Sequence, residues 1–283
     1  MTTVSVVFQM IAFQSDYVLE PVLAALLPYG KVIATEGPVR YWQERGCVTS
    51  SDQTLKILQR RLGIENVVSG IWEEKDKMMN AALHLIPPET THVWMVDADE
   101  YYPPALIVKT LATLDQYDSV NFLPLTFFGG FAHVLGGFER TAPWTRIQRW
   151  HVGARWQTHR PPTILAPDGK PYRQHRPRQS GEEFYHYSYV FPQQVKNKVE
   201  YYNATMGGVI PNYFQEVWLQ WVLGDEGERR RIELKYDGVH EWLPARRGAC
   251  FPSPFEGKHP PAIAERLPEL RQRFNEELTE VRA

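Results

Sequence analysis

The sequence predicts an α/β protein: a mostly parallel sheet with helices on both faces, followed by an α-helical C-terminal extension. Two observations carry this. Short, nearly uninterrupted apolar runs alternate with amphipathic segments over the first 125 residues. Strands of that kind are buried on both faces and belong to parallel sheets with right-handed crossovers. The chain ends on an apolar row, Ile263, Leu267, Leu270, Phe274, Leu278 and Val281, whose spacing is that of one helix face.

The elements follow in order. Val4–Ala12 is a β-branched apolar strand. Ser15 or Asp16 is placed to cap a helix carrying Val18, Leu19, Val22, Leu23, Leu26 and Leu27, with Gly30 beyond its end. Lys31–Thr35 is the second strand. Ser51 or Asp52 opens a helix that runs to Leu62, and Gly63 follows it. Asn66–Ser69 is the third strand, Glu74–Leu85 a helix stopped by Pro87-Pro88, and His92–Val96 a fourth, nearly all-apolar strand. Beyond Val120 the pattern changes. Val120–Phe128 reads as a strand, and Gly129-Gly130 and Gly136-Gly137 bracket a flexible loop around His133. Arg146–Trp150 and Phe184–Val190 alternate at period 2, and helices return at Gln193–Tyr202 and Asn212–Leu223. The expected division is a catalytic domain over 1–205, with halves 1–125 and 126–205, and a helical extension over 206–283. The terminal helix is expected to dock on its own domain, with a homodimer contact as the alternative.

Composition narrows the class. The chain has 283 residues, 43% of them hydrophobic and 23% charged, which suits an ordinary folded protein. No apolar run approaches the roughly 18–20 residues of a membrane span, and the N-terminus lacks the basic region of a signal peptide, so a cytoplasmic protein without integral membrane contact is expected. Cys47 and Cys250 stand far apart in no metal spacing, which argues against structural zinc and a disulfide scaffold. The net charge is −2, yet Arg140–Arg178 holds eight Arg and one Lys against Asp168 alone, a net +8. That asymmetry points either to an anionic ligand or to Arg residues paired with acids elsewhere in the fold.

The sharpest chemical signal is Val93-Trp94-Met95-Val96-Asp97-Ala98-Asp99-Glu100. An apolar strand ends in carboxylates at i and i+2, which share a face of extended backbone. In open α/β sheets ligands bind beyond the carboxyl ends of the strands. Two hard oxygen ligands there suit Mg²⁺ or Mn²⁺ holding a substrate diphosphate; the alternative is a pair of solvated turn acids. No Gly-x-Gly-x-x-Gly follows the first strand and no P-loop occurs, which weakens dinucleotide and P-loop readings.

Several segments, in order, resemble the GT-A-type glycosyltransferases, especially family-2-like enzymes, over about residues 4–205. They are Glu36-Gly37 after the second strand, Glu74–Leu83 before the acidic strand, and Asp97-Ala98-Asp99. Thr145–Trp150 with Gly153–Trp156 and His186-Tyr187-Ser188-Tyr189 with Lys196 and Lys198 follow. The resemblance implies a GT-A-like, Rossmann-like fold. It implies a metal-dependent glycosyltransferase that moves a sugar from a nucleotide-sugar donor, a UDP-sugar, to a hydroxyl acceptor. In that reading Glu36 meets the nucleoside, and Trp72 stacks on the base unless it merely packs against its helix. Lys77, Asn80 and Lys196 lie on the donor side. Asp97 bridges ribose and metal, and Asp99 and His186 complete the metal site. Arg155, Trp156, His159 and Arg160 line the acceptor side. His159 is followed by Arg160 where relatives often carry Glu, and no Glu-Asp pair follows downstream. The base therefore falls to Glu182, which shares a face with His186, or Glu139. The Trp-interleaved basic stretch suggests a polyanionic acceptor, an acidic glycan precursor or a hydroxylated base in modified DNA. Two rivals are a nucleotidyltransferase of similar fold and a non-catalytic, degenerate transferase that binds glycan or nucleic acid. The first needs a Gly-rich basic loop where Ala12-Phe13-Gln14-Ser15-Asp16 stands.

Overall fold

The computed structural model describes residues 4–172, 175–243 and 249–282. In chain order it begins β1 (Val6–Ala12), α1 (Asp16–Leu26), β2 (Lys31–Glu36), the one-turn α2 (Arg40–Gln43), α3 (Thr54–Leu62) and β3 (Val67–Ser69). It continues with α4 (Lys75–Ala81), β4 (His92–Asp97), β5 (Glu100–Tyr101), α5 (Pro104–Leu111) and β6 (Ser119–Phe128). Then come β7 (His133–Leu135), α6 (Phe138–Thr141), β8 (Trp144–Arg149), β9 (Arg155–Thr158), β10 (Thr163–Leu165) and β11 (Pro177–Tyr189). The rest is helical apart from β12 (Pro252–Pro254): α7 (Pro192–Thr205), a π-helical turn (Phe214–Trp218) continuing into α8 (Leu219–Leu223), α9 (Glu226–Tyr236), α10 (Pro261–Ala264) and α11 (Leu267–Glu280). No helix of the described residues is long and apolar enough to cross a membrane.

The chain forms two compact units, residues 1–123 with 143–184, and residues 124–142 with 185–283. This cuts the chain differently from a boundary at residue 205: residues 124–142 and 185–205 group with the C-terminal segment. The first unit is an α/β layer structure. Its strands run in the order β3-β2-β1-β4-β8-β6. β1 pairs in parallel with β2 and β4, and β2 with β3. β8 is antiparallel to β4 and to the start of β6, so the sheet is parallel where the strands alternate with helices and antiparallel beyond. All six residues of β4 are buried, which is why it reads as a continuous apolar run. One face carries Phe8, Trp94, Tyr102, Phe122 and Phe184 in ring contact, with Trp94 stacked on Phe122 at 5.3 Å. The other packs Val93, Met95 and Met79 with Trp150, Trp156 and Ile164.

Caps differ in detail from the expectation. The N-cap of α3 is Gln53, which makes no side-chain cap bond; Asp52, one residue earlier, accepts from the Thr54 amide at 2.9 Å. Ser15 supplies no side-chain cap to α1; its hydroxyl donates to the Phe13 carbonyl. Gly37, directly after β2, adopts φ +129°, and a Cβ there would stand 1.9 Å from the Gly70 carbonyl oxygen. Only glycine lets the chain pass so close where Glu36 leaves the sheet.

The second unit surrounds a core of Phe128, Leu135, Val195, Val199, Tyr213, Val217, Trp218 and Trp221. Residues 133–135, expected as flexible loop, form β7, which pairs with β12. The terminal apolar row is not one helix: α10 ends at Ala264 and α11 starts at Leu267, with Pro268 in its first turn. Proline has no amide for a continuing helix and clashes with the preceding turn. The inward face of α11 meets α7, where the Gln193 amide donates to Glu277 at 3.0 Å and Phe274 packs on the core.

Candidate functional site

β1 lies between β2 and β4. The chain winds outward from β1 to β3, then returns to the other side of β1 as β4. Glu36 ends β2 opposite Ala12, and Asp97 ends β4 opposite Ile11. Both acids therefore stand at the carboxyl edge, and Asp97 stands where the strand order reverses.

A buried charge cluster surrounds Asp97. Its Oδ2 accepts from Arg160 Nη2 at 2.5 Å and Arg146 Nη2 at 3.4 Å, and its Oδ1 from His159 Nε2 at 3.3 Å. Arg146 is also ion-paired to Glu100, and Glu100 Oε2 accepts from the Tyr102 hydroxyl at 2.9 Å and from the Asp97 amide at 3.3 Å. Burial pushes the Asp97 carboxyl up, but Arg160, His159 and Arg146 outweigh it and hold it well below the usual carboxylate range. Burial pulls His159 down to about 4 against the pull of Asp97. The imidazole is thus neutral at pH 7 and donates its Nε2 hydrogen. Burial, offset in part by Arg146, raises Glu100 to about 7.

These values set a pH dependence. His159 and His92, the latter also held at about 4 by burial, stay neutral in the fold but protonate below about 6.5 when unfolded. The unfolded chain then binds more protons, so stability falls as pH drops from 6.5 to 4. Glu100 opposes this between 4.5 and 7, because the folded state keeps a proton that the unfolded chain has lost. Two groups outnumber one, and Glu241, held near 2, adds loss below 4.5. Thermal melting should therefore show Tm falling from pH 6.5 to 4, most steeply below 4.5. A flat profile would contradict the buried neutral histidines.

Other residues of the first unit are committed to the chain itself. Glu36 Oε1 accepts from the Ser50 amide at 2.8 Å and Oε2 from the Ser69 hydroxyl at 2.8 Å, with Thr49 bridging both oxygens. Trp72 Nε1 donates to the Glu36 carbonyl at 3.1 Å. Asn80 exchanges two 2.9 Å bonds with the backbone of Trp156, whose ring is buried. Lys77 is exposed beside Asp76, Asp99 is half-buried, Arg155 is exposed, and Glu182 is ion-paired to Lys109. The basic stretch is paired in part: five of its nine cations meet four acids. Arg146 and Arg160 meet Glu100 and Asp97, Arg149 and Arg176 share Asp118, Lys170 meets Asp168, and Arg178 donates to Thr113. Arg173 lies outside the described residues.

The second unit holds Glu139, His186 and Lys196. Lys196 is half-buried on α7. Glu139 is buried and accepts from the Thr126 hydroxyl at 3.3 Å. Thr126 Oγ1 also lies 3.0 Å from His186 Nδ1. Since the one hydroxyl hydrogen goes to Glu139, Nδ1 of His186 carries the proton in this chain of bonds. His240 Nε2 lies 3.7 Å from Glu139, and its Nδ1 is 2.8 Å from Glu241. The Tyr189 hydroxyl donates to the Glu241 carboxylate at 2.5–2.6 Å. Burial pushes Glu241 up, and His240 with Lys198 and Tyr189 outweighs it, leaving it at about 2. The sequence shows Arg146 only as part of the basic stretch and Glu100 only as the end of the acidic motif, and it does not point to His240 or Glu241. Glu100 adjoins the Asp-x-Asp, and Arg146 interrupts a strand; His240-Glu241 offers no local motif.

As arranged, Asp97 does not fit a divalent cation: both oxygens already accept hydrogen bonds, two of them from guanidiniums that would repel the ion. Among the described residues no three or more His, Cys, Asp or Glu side chains are grouped to hold a metal. Both cysteines are free thiols.

No family model and no curated protein matches the chain. Similar solved structures include S. aureus TarS 1–349 in complex with UDP-GlcNAc, 12% identical with TM-score 0.41, spanning 97% of this chain and 88% of that one. Another structure of S. aureus TarS 1–349 is 14% identical with TM-score 0.41, spanning 82% of this chain and 72% of that one. A third is 4-diphosphocytidyl-2C-methyl-D-erythritol synthase from Anaerococcus prevotii, 14% identical with TM-score 0.31 over 43% of this chain and 56% of that one. At such identities and TM-scores a shared substrate does not follow.

Proposed function

We propose that the chain is a glycosyltransferase that moves a sugar from a nucleotide-sugar donor to a hydroxyl acceptor. The observation that carries this reading is Asp97 with its guanidinium partners at the carboxyl end of β4, at the reversal point of a parallel sheet. Ligands of open α/β sheets bind at such points, and a charged, hydrogen-bonding cluster there suits a polar, phosphate-bearing donor. The ordered segments that resemble GT-A-type enzymes favour a sugar nucleotide among such ligands.

Transfer needs two things beyond binding: a stabilised diphosphate leaving group and a base for the acceptor hydroxyl. Glu182 and Glu139 are the carboxylates proposed as base: Glu182 is ion-paired to Lys109 within the first unit, and Glu139 lies beside Thr126 and His240 within the second. The Mg²⁺ or Mn²⁺ of the family would have to be held by Asp97, Asp99 and His186, and the engaged state of Asp97 argues against it. Three acids outside the basic stretch, Asp97, Glu100 and Asp118, offset three of its net +8, so an acidic glycan or DNA acceptor stays within this reading beside a neutral hydroxyl acceptor. Glu36, with its oxygens on Ser50, Ser69 and Thr49, shapes the edge of the donor site rather than reading the base.

The test is a panel of nucleotide sugars scored for binding and for slow hydrolysis. One donor should bind and turn over, and Glu139→Gln should lower its turnover about 10²-fold with donor Kd unchanged. No binding to any member would overturn the reading, and unchanged turnover would remove Glu139 as base.

A further inference from the structure

We propose that Arg160, with Asp97 as its counter-ion, supplies the positive charge that meets the donor diphosphate, in the place where a divalent cation would stand. The proposal rests on the glycosyltransferase reading above and specifies how that site holds its donor.

Two cations reach Asp97, and they differ. Arg146 has a side chain only 2% exposed and is anchored on buried Glu100, so it is a fixed internal charge. Arg160 has a side chain 34% exposed and reaches Asp97 from the solvent side at 2.5 Å. Its guanidinium also lies 5.4 Å from the Trp144 ring centroid, with Arg146 4.9 Å from the same ring. A planar guanidinium carries five N–H donors in a fixed fork, so it can hold Asp97 and still present N–H groups on its exposed side. It is therefore a cation held in place at the carboxyl edge of the sheet and facing solvent.

The immediate neighbours of Asp97 support the same assignment. Two guanidiniums already reach its carboxylate, and neutral His159 adds a hydrogen bond without adding charge. A divalent cation on Asp97 would meet both guanidiniums at close range, which is costly unless Arg160 leaves. A diphosphate instead meets the exposed side of a cation already positioned. No three-ligand metal group occurs among the described residues. Arg160 thereby moves from the acceptor side, where its neighbours in sequence placed it, to the donor side.

Calorimetry with UDP, GDP, CDP and ADP, each in EDTA and each in Mn²⁺, tests this. One diphosphate should bind in EDTA within about threefold of its affinity in Mn²⁺. Its Kd should rise at least tenfold in Arg160→Ala and less in Arg160→Lys, which keeps a charge on Asp97 and safeguards the fold. The affinity of the matching nucleoside should be unchanged in both variants, and Arg231→Ala, at an exposed position of α9, should leave every Kd unchanged. Electron paramagnetic resonance of Mn²⁺ added alone should show no tightly bound ion. Binding that disappears in EDTA, or Arg160 variants with the wild-type diphosphate Kd, would overturn the role of Arg160 and leave the transferase reading standing. Failure of all four diphosphates under both conditions would overturn the transferase reading and this proposal with it.

Discussion

Arg146→Met should lower the unfolding free energy by about 3–5 kcal/mol above pH 7, where Glu100, raised to about 7 beside Arg146, is ionised and loses its counter-charge inside the fold. Arg146 and Glu100 have side chains 2% and 0% exposed, so water does not replace the lost guanidinium. Glu100 would remain with only the Tyr102 hydroxyl and the Asp97 amide as donors. Asp97 would keep Arg160 and His159. The loss is thus specific to Glu100, and adding Glu100→Gln should recover most of it: the amide still accepts from Tyr102 and carries no charge. Urea unfolding of the wild type, the single variant and the double variant measures this. The slope against urea should stay constant, since the surface exposed on unfolding is unchanged. A single variant within about 1 kcal/mol of wild type would mean that the pair contributes little to the fold.

Legibility tracked range along the chain. β1 and β4 were readable because burial on both faces forces apolar runs into six or seven consecutive residues. Asp97 was readable because carboxylates directly after such a strand are unusual. Its partners were not: Arg146 and Arg160 lie 49 and 63 residues further on, and no local pattern links them to it. The basic stretch leaves a ligand patch and internally paired Arg residues both open in the sequence, because Asp97, Glu100 and Asp118 lie outside it. β7 reads as loop in the sequence because its three residues sit between glycine pairs, and its partner β12 arrives from far downstream. The broken terminal helix is the opposite case: Pro268 is a local signal, and the apolar spacing runs across it.

Order among motif residues does not separate those that touch a ligand from those that hold the frame, and Trp156 with Asn80 shows the distinction. Trp156→Ala should cost about 3–5 kcal/mol, the range for emptying a buried aromatic site. The ring is 2% exposed among Met79, Val93, Met95, Trp150 and Ile164. Its Nε1 donates to Gln9 Oε1 at 2.8 Å, and Gln9 Nε2 in turn donates to the Met79 carbonyl at 2.6 Å. Truncation therefore opens a cavity and strips a buried acceptor of its donor. Trp156→Phe fills most of the cavity but still strands Gln9, so it should fall between. Asn80→Ala should cost about 2–3 kcal/mol, since both backbone groups of Trp156 lose their partner at once. Asn80→Asp keeps the acceptor and loses the donor, and should cost less. The discriminating measurement pairs melting with nucleoside diphosphate affinity taken well below each variant's Tm. If both residues frame the site, Tm drops and the affinity of the folded protein holds. A wild-type Tm in Asn80→Ala together with lost binding would instead place its amide against the donor.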